Sequence, residues 1–235
     1  MARQKSGFRR VGFDYNREQT PMGVMRTMTT ELYLVRHGET LWNRERRIQG
    51  HRDVPLSPQG KWQAEVLARR LATVPFAAIY SSDLMRARET AEAVARAVGK
   101  AVIPLPQLRE RCLGDWEGKT IAEIGLMEGV PLEDPRLAAV GAEPFEALQH
   151  RAATVLTAIA ERHVGATVLV VSHGGFLNAA LHWMTAGRLG TGVTRHGNTA
   201  ITRVRWEAGV WTVLTVADVS HLVEAERQQA ASRSS

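Results

Sequence analysis

The chain has 235 residues, 44% hydrophobic and 23% charged, a composition that fits one globular domain with a modest addition and excludes a disordered or fibrous protein. Its single cysteine, Cys112, excludes an internal disulfide framework and any cysteine-cluster metal site. No apolar run approaches the roughly eighteen residues of a membrane-spanning helix. The net charge of +6 raises nucleic acid as a partner, but the charge is unevenly placed.

Residues 1–30 carry six basic residues (Arg3, Lys5, Arg9, Arg10, Arg17 and Arg26) against Asp14 and Glu18. The rest of the chain therefore holds 24 basic and 22 acidic residues, close to balance. This segment has neither helical nor strand periodicity and no apolar signal-peptide core. Residues 1–28 are read as a flexible basic leader or as preceding a natural start at Met28; the rival reading is an Arg-rich organelle transit peptide, against which Asp14 and Glu18 count. A domain is expected over 29–222 and a polar tail over 223–235. The protein is expected to be cytoplasmic.

From Glu31 the signals alternate. Leu32-Tyr33-Leu34-Val35 is a short β-rich apolar run. Ser57-Pro58 supplies an N-cap and first-turn proline for a helix through Trp62, Val66, Leu67 and Leu71. Residues 77–80 predict a second strand. Asp83 is expected to open a helix with apolar positions Leu84, Ala87, Ala91, Val94 and Val98 that stops at Gly99. A short strand over 101–103 precedes a stretch of weak helical pieces to 143, and Pro144 starts a further helix. Thr167–Val171 is the strongest strand signal and runs into Ser172-His173-Gly174-Gly175 and an apolar helix. Alternating runs at 199–206 and 210–217 around Glu207-Ala208-Gly209 predict a hairpin. The pattern predicts an α/β fold: a three-layer α/β/α sandwich around a mainly parallel central sheet.

Two apolar strands end alike, in Arg36-His37-Gly38 and in Ser172-His173-Gly174. In open α/β sheets the ligand crevice lies beyond the carboxyl ends of the strands, so both histidines are expected to face it. The helix following Gly175 is expected to point free N–H groups there. Arg36 adjoins His37, and Arg86 lies on the first turn after the second strand. Two guanidiniums and two imidazoles can converge on one anion, with geometry suited to phosphate oxygens. A neutral imidazole is a competent nucleophile toward phosphorus. A proton donor for the leaving oxygen is then needed, and Glu39, Asp83, Glu110 and Glu117 are the candidates.

Together with Glu39-Thr40 and Trp42-Asn43, the Arg36-His37-Gly38 block resembles the signature of the histidine phosphatase superfamily, the phosphoglycerate mutase-like proteins. The blocks Gln49-Gly50, Leu56–Gly60, Ser81–Ala87, Leu108–Glu110 with Gly114–Gly118, and Ser172–Gly175 follow in the family's order. The resemblance implies His37 as the nucleophile that becomes phosphohistidine, with Arg36, Arg86 and His173 holding the transferring phosphoryl group. It implies Glu110 as proton donor and later activator of water. It places Asn43, with Gly38, Thr40 and Gly174, at the substrate, and implies no metal and no cofactor.

Glu39-Thr40 after His-Gly is unlike the acid phosphatase and phytase branch. The Gly-Asp-Trp-Glu-Gly form and the short 119–143 segment resemble phosphatase members more than true mutases. A short cap leaves the pocket open to water. Gly141-Ala142-Glu143-Pro144 departs from the Gly-Glu-Ser of many phosphatase relatives, so no substrate contact is carried over there. The expected function is a metal-independent phosphomonoesterase of small phosphorylated metabolites, the alternative being a cofactor-dependent phosphoglycerate mutase. No nucleic-acid or membrane partner is expected, and the sequence does not specify an oligomeric state. His221 is noted as a possible support behind the site, and Trp116 as a pocket-rim residue.

Overall fold

The structure, a computed structural model, describes residues 28–127, 130 and 134–233. The expected leader lies outside the described residues except for Met28. Six strands form one sheet: β1 (Thr30–Arg36), β2 (Phe76–Ser81), β3 (Val102–Pro104), β4 (Thr167–Ser172), β5 (Ile201–Glu207) and β6 (Val210–Asp218), in the order β3-β2-β4-β1-β5-β6. The first four are mutually parallel and the β5–β6 hairpin adds antiparallel to β1.

Strand alternation divides the core into two layers. Leu32 and Leu34 of β1, with Val168 and Val170 of β4, pack on helices α5 (Phe145–Arg162) and α6 (Gly174–Met184). Val35, Leu169 and Val171 point the other way, onto α2 (Pro58–Leu71) and α3 (Met85–Val98). Strands apolar on both faces are what a sheet covered on both sides requires. The expected three-layer sandwich is therefore observed, at the expected strand positions.

Several elements differ in detail. Helix α3 begins at Met85 rather than Asp83, and Leu84 at its N-cap makes no side-chain cap. Asp83 is held instead by Arg109 through two bonds of 2.8 and 2.6 Å, and Asp53 accepts from Met85 N at 2.6 Å. A residue remote in sequence thus does the capping that Asp83 was expected to do. The segment set apart as a polar tail is the body of helix α7 (Ser220–Arg233), which packs against α2 at its start. Trp116, expected at the pocket rim, is buried with Ile48, Leu113, Ile124 and Leu137 in a small separate core. That core holds down the segment after Gly118, which includes the short helix α4 (Arg136–Ala139). Helix α1 (Leu41–Arg44) is a single turn after β1.

Candidate active site

The site is set by sheet register. Arg36 pairs with Ser172 across the parallel β1–β4 ladder, and His37 N continues it to Ser172 O at 2.9 Å. The ladder therefore delivers His37 and His173 side by side, their ring centroids 5.1 Å apart. The connection after β1 leads to α2 on one face, and the helix after β4 is α6 on the other. That divergence opens the crevice. On the far side of β4, β2 ends at the same level, and the first turn of α3 brings Arg86 in.

His37 is 3% exposed. Its Nδ1 lies 2.6 Å from Gly38 O. A carbonyl can only accept, so Nδ1 carries the proton and the lone pair resides on Nε2. Burial, and then the charges of Arg86 and Arg36, hold the imidazole well below the usual histidine range. His173 is lowered in the same way, by burial and then Arg86. Both rings are therefore neutral at neutral pH.

The guanidiniums are half-satisfied. Arg36 donates Nη1 to His196 O at 2.5 Å, while its buried Nε has no partner. Arg86 is fully buried and donates Nη1 to Arg52 O and Nη2 to Gly50 O, both at 2.8 Å; its Nε is also unpartnered. Burial pushes Arg86 down to about 10, which leaves it charged at neutral pH. Both ring nitrogens of His173 are buried and unpartnered as well. Buried donors are ordinarily bonded, so such a concentration beside one cavity marks an anion site.

Four carboxylates were candidates for the proton donor, and their partners separate them. Glu39 accepts from Ser57 Oγ at 2.8 Å. Asp83 is committed to Arg109. Glu117 accepts from His51 N and Leu113 N, both at 3.0 Å, tying two loops together. Among these four, Glu110 alone lines the cavity that also exposes Arg36, His37 and Arg86. Its carboxylate accepts from Gly175 N at 3.0 Å and Phe176 N at 2.9 Å. The α6 N-terminus expected to face a ligand is thus occupied by this side chain. Gly175 permits it: a Cβ there would lie 2.5 Å from Glu110 Oε1.

The other expected substrate residues divide. Asn43 lines the cavity. Thr40 does not; it is buried and caps α1, its Oγ1 accepting from Asn43 N at 3.1 Å. Gly38 follows His37 directly, and a Cβ there would come 2.7 Å from Gly60 O. Gly174 packs against Arg36, its hypothetical Cβ 3.5 Å from Arg36 Nε. These glycines let the backbone approach and do not wall the cavity. His221 stands behind the site, its Nε2 3.1 Å from Thr199 Oγ1, and Thr199 N donates to Arg36 O.

The cavity, about 360 Å³, continues outward past residues that the sequence reading did not assign to substrate: Gln49, Arg111, Phe145, Leu148 and Asn178. This size suits a small metabolite. Asn178 lies three residues after Gly175 on the same face of α6, a helical spacing that could have revealed it. Glu143, from the atypical Gly-Ala-Glu-Pro stretch, pairs with Arg151 at 3.0 and 2.7 Å. Arg151 also donates to the carbonyls of Gln107, Arg109 and Glu110. That pair braces the loop segment carrying Glu110.

A family model described as histidine phosphatase superfamily (branch 1) matches residues 32–219. Phosphoglycerate mutase-like protein 4 of Arabidopsis thaliana is 37% identical over 203 residues, covering 83% of this chain and 87% of that protein. The solved structure of Bacillus stearothermophilus YhfR is similar with a TM-score of 0.73 and 37% identity, covering 82% of this chain and 99% of that one. A phosphoserine phosphatase variant from Entamoeba histolytica, solved in complex with phosphoserine, gives a TM-score of 0.71 at 28% identity, covering 82% and 99%.

Proposed function

Because the chain belongs to the histidine phosphatase superfamily (branch 1), we propose that it is a phosphomonoesterase of small phosphorylated metabolites that works through a phosphohistidine on His37. The observation that carries this reading is the set of unpartnered buried donors, Arg36 Nε, Arg86 Nε and the His173 ring, beside a histidine whose lone pair is on Nε2.

In the first step His37 Nε2 forms a bond to phosphorus while the bond from phosphorus to the ester oxygen breaks. Glu110 passes its proton to that oxygen, and an alcohol departs. Charge on the phosphoryl oxygens is met by Arg36 and Arg86, whose positions are set in advance by carbonyls of His196, Gly50 and Arg52. In the second step water attacks phosphorus and gives its proton to Glu110. The N–P bond breaks, its electron pair returns to His37, and inorganic phosphate leaves. The proton returns to where it began, so the cycle closes without a further reactant.

The test is hydrolysis of a generic aryl phosphate in EDTA. Wild type is expected to turn over and His37→Ala to lose about a thousand-fold or more in kcat. Activity that survives His37→Ala, or that needs added metal, would overturn the reading. The name of the Arabidopsis relative favours a second reading, a mutase using the same phosphohistidine. Transfer of labelled phosphate between glycerate hydroxyls would establish it, and label found only as inorganic phosphate would remove it.

A further inference from the structure

The loop between α6 and β5 contributes His196-Gly197-Asn198-Thr199; the His196 carbonyl holds Arg36, whereas Asn198 has no role in the mechanism above. Asn198 Nδ2 lies 3.1 Å from His37 O and 3.4 Å from Asn43 Oδ1. Its orientation follows from its neighbours: the His37 carbonyl can only accept, so the amide must present nitrogen. Asn43 is oriented by the same logic. Thr40 N, which can only donate, lies 3.0 Å from Asn43 Oδ1. The oxygen of Asn43 is therefore turned away toward Thr40 and Asn198, and its Nδ2 is left for the cavity that Asn43 lines.

We propose that Asn198 is a positioning residue for the phosphoryl pocket, holding the Asn43 amide oxygen and the His37 carbonyl so that Asn43 presents its NH2 to the phosphoryl group. The proposal rests on the phosphatase reading. Both protons of one amide are used, one on the residue carrying the nucleophile and one on the oxygen of a ligand-facing amide. The loop can serve as a fixed support because it is anchored on each side of Asn198. His196 gives its carbonyl to Arg36, and its ring contacts Asn178 Oδ1 at 3.0 Å and Thr202 Oγ1 at 3.1 Å. Thr199, buried at φ 56°, donates its N–H to Arg36 O at 3.0 Å and is held by His221. A β-branched residue at positive φ persists only where its surroundings enforce it.

Without Asn198 the Asn43 oxygen keeps its donors on Thr40, N at 3.0 Å and Oγ1 at 3.2 Å, but loses the one on the side of His37, so the amide is held less firmly in the orientation that aims its NH2 at the cavity. The decisive measurement is the affinity of the full chain for inorganic phosphate by calorimetry, alongside kcat/KM for an aryl phosphate. Asn198→Ala and the near-isosteric Asn198→Leu are both expected to weaken phosphate binding and to lower kcat/KM on the order of tenfold, the scale of a hydrogen bond to a charged ligand. In an Asn43→Ala background either change is expected to cost less than about threefold in phosphate affinity, because the group it positions is gone. Wild-type affinity in Asn198→Leu would reduce the residue to packing and overturn the proposal. Losses that simply multiply in the double variants would overturn it too. If the leucine variant fails to fold, the alanine cycle decides alone. Turnover by wild type tests the phosphatase reading, whereas phosphate affinities test Asn198 whatever the turnover. A wild type that binds no phosphate would overturn the Asn198 proposal, and one that also fails to turn over would overturn the phosphatase reading.

Discussion

At the scale of single residues, the site depends on keeping two adjacent imidazoles neutral beside two guanidiniums. Burial is the larger cause, and the cations add to it. The sign suits the proposed chemistry, since only the neutral ring offers a lone pair. NMR titration of the ring nitrogens is expected to show His37 neutral at pH 6 with its proton on Nδ1, and its midpoint well under the ordinary value of about 6.5. A midpoint at 6.5 would contradict the burial argument. Saturating inorganic phosphate is expected to move the midpoint upward, because an anion offsets the field of Arg36 and Arg86. Arg-His-Gly at a strand end was legible from the sequence, as was the convergence of Arg86. Which of four acids faces the cavity was not legible from spacing, though the family resemblance pointed to Glu110, because Asp83 and Glu117 are drawn away only by partners brought from elsewhere in the chain.

Among the elements, close backbone approaches carry the design. Gly175 in α6 has no Cβ, so the Glu110 carboxylate reaches two N–H groups of the helix N-terminus. Gly175→Ala is expected to push that carboxylate aside while leaving the fold intact, since glycine to alanine in a helix is neutral or stabilising by up to about 1 kcal/mol. The expected signature is an unchanged or raised melting temperature with kcat reduced about ten- to a hundredfold. A variant with wild-type kcat would show that the placement of Glu110 is not critical. Gly60 behaves oppositely. A Cβ there would fall 2.0 Å from the backbone oxygen of Glu39, where α2 begins against the loop after β1. Neither backbone can yield, so Gly60→Ala is expected to cost about 2 kcal/mol by urea denaturation. A loss under about 0.5 kcal/mol would refute that packing argument. The helix and strand positions were legible because their periodicities are local. The first turn of α3 was misplaced because its cap, Asp53, is 32 residues away from Met85.

For the whole molecule, burying neutral histidines ties stability to pH. His37, His173 and His196 all have folded values lowered by burial, His196 to about 4. In the unfolded chain a histidine gains its proton below about pH 6.5. Between 6.5 and the lowered folded values, the unfolded state therefore binds more protons, and stability falls as pH falls. For His196 that window runs from about 6.5 down to about 4 and corresponds to about 3 kcal/mol in all. The urea midpoint is expected to drop between pH 7.5 and 5. A midpoint constant across that range would contradict the burial of these rings as neutral groups.

The sequence by itself determined the layer architecture, the two strand-end histidines, both pocket arginines and the identity of the family, because these reside in local patterning and ordered motifs. Only the tertiary structure decided which acid faces the cavity, that the α6 N-terminus is occupied by Glu110, that Thr40 caps a helix turn, that 223–233 is helical, and that Asn198 reaches His37. The Thr40 cap on Asn43 and the helix over 223–233 are local but carry no apolar periodicity, whereas the Glu110 and Asn198 contacts join residues 65 and 161 positions apart. Such contacts leave no periodicity behind, so the chain must fold before they can be read.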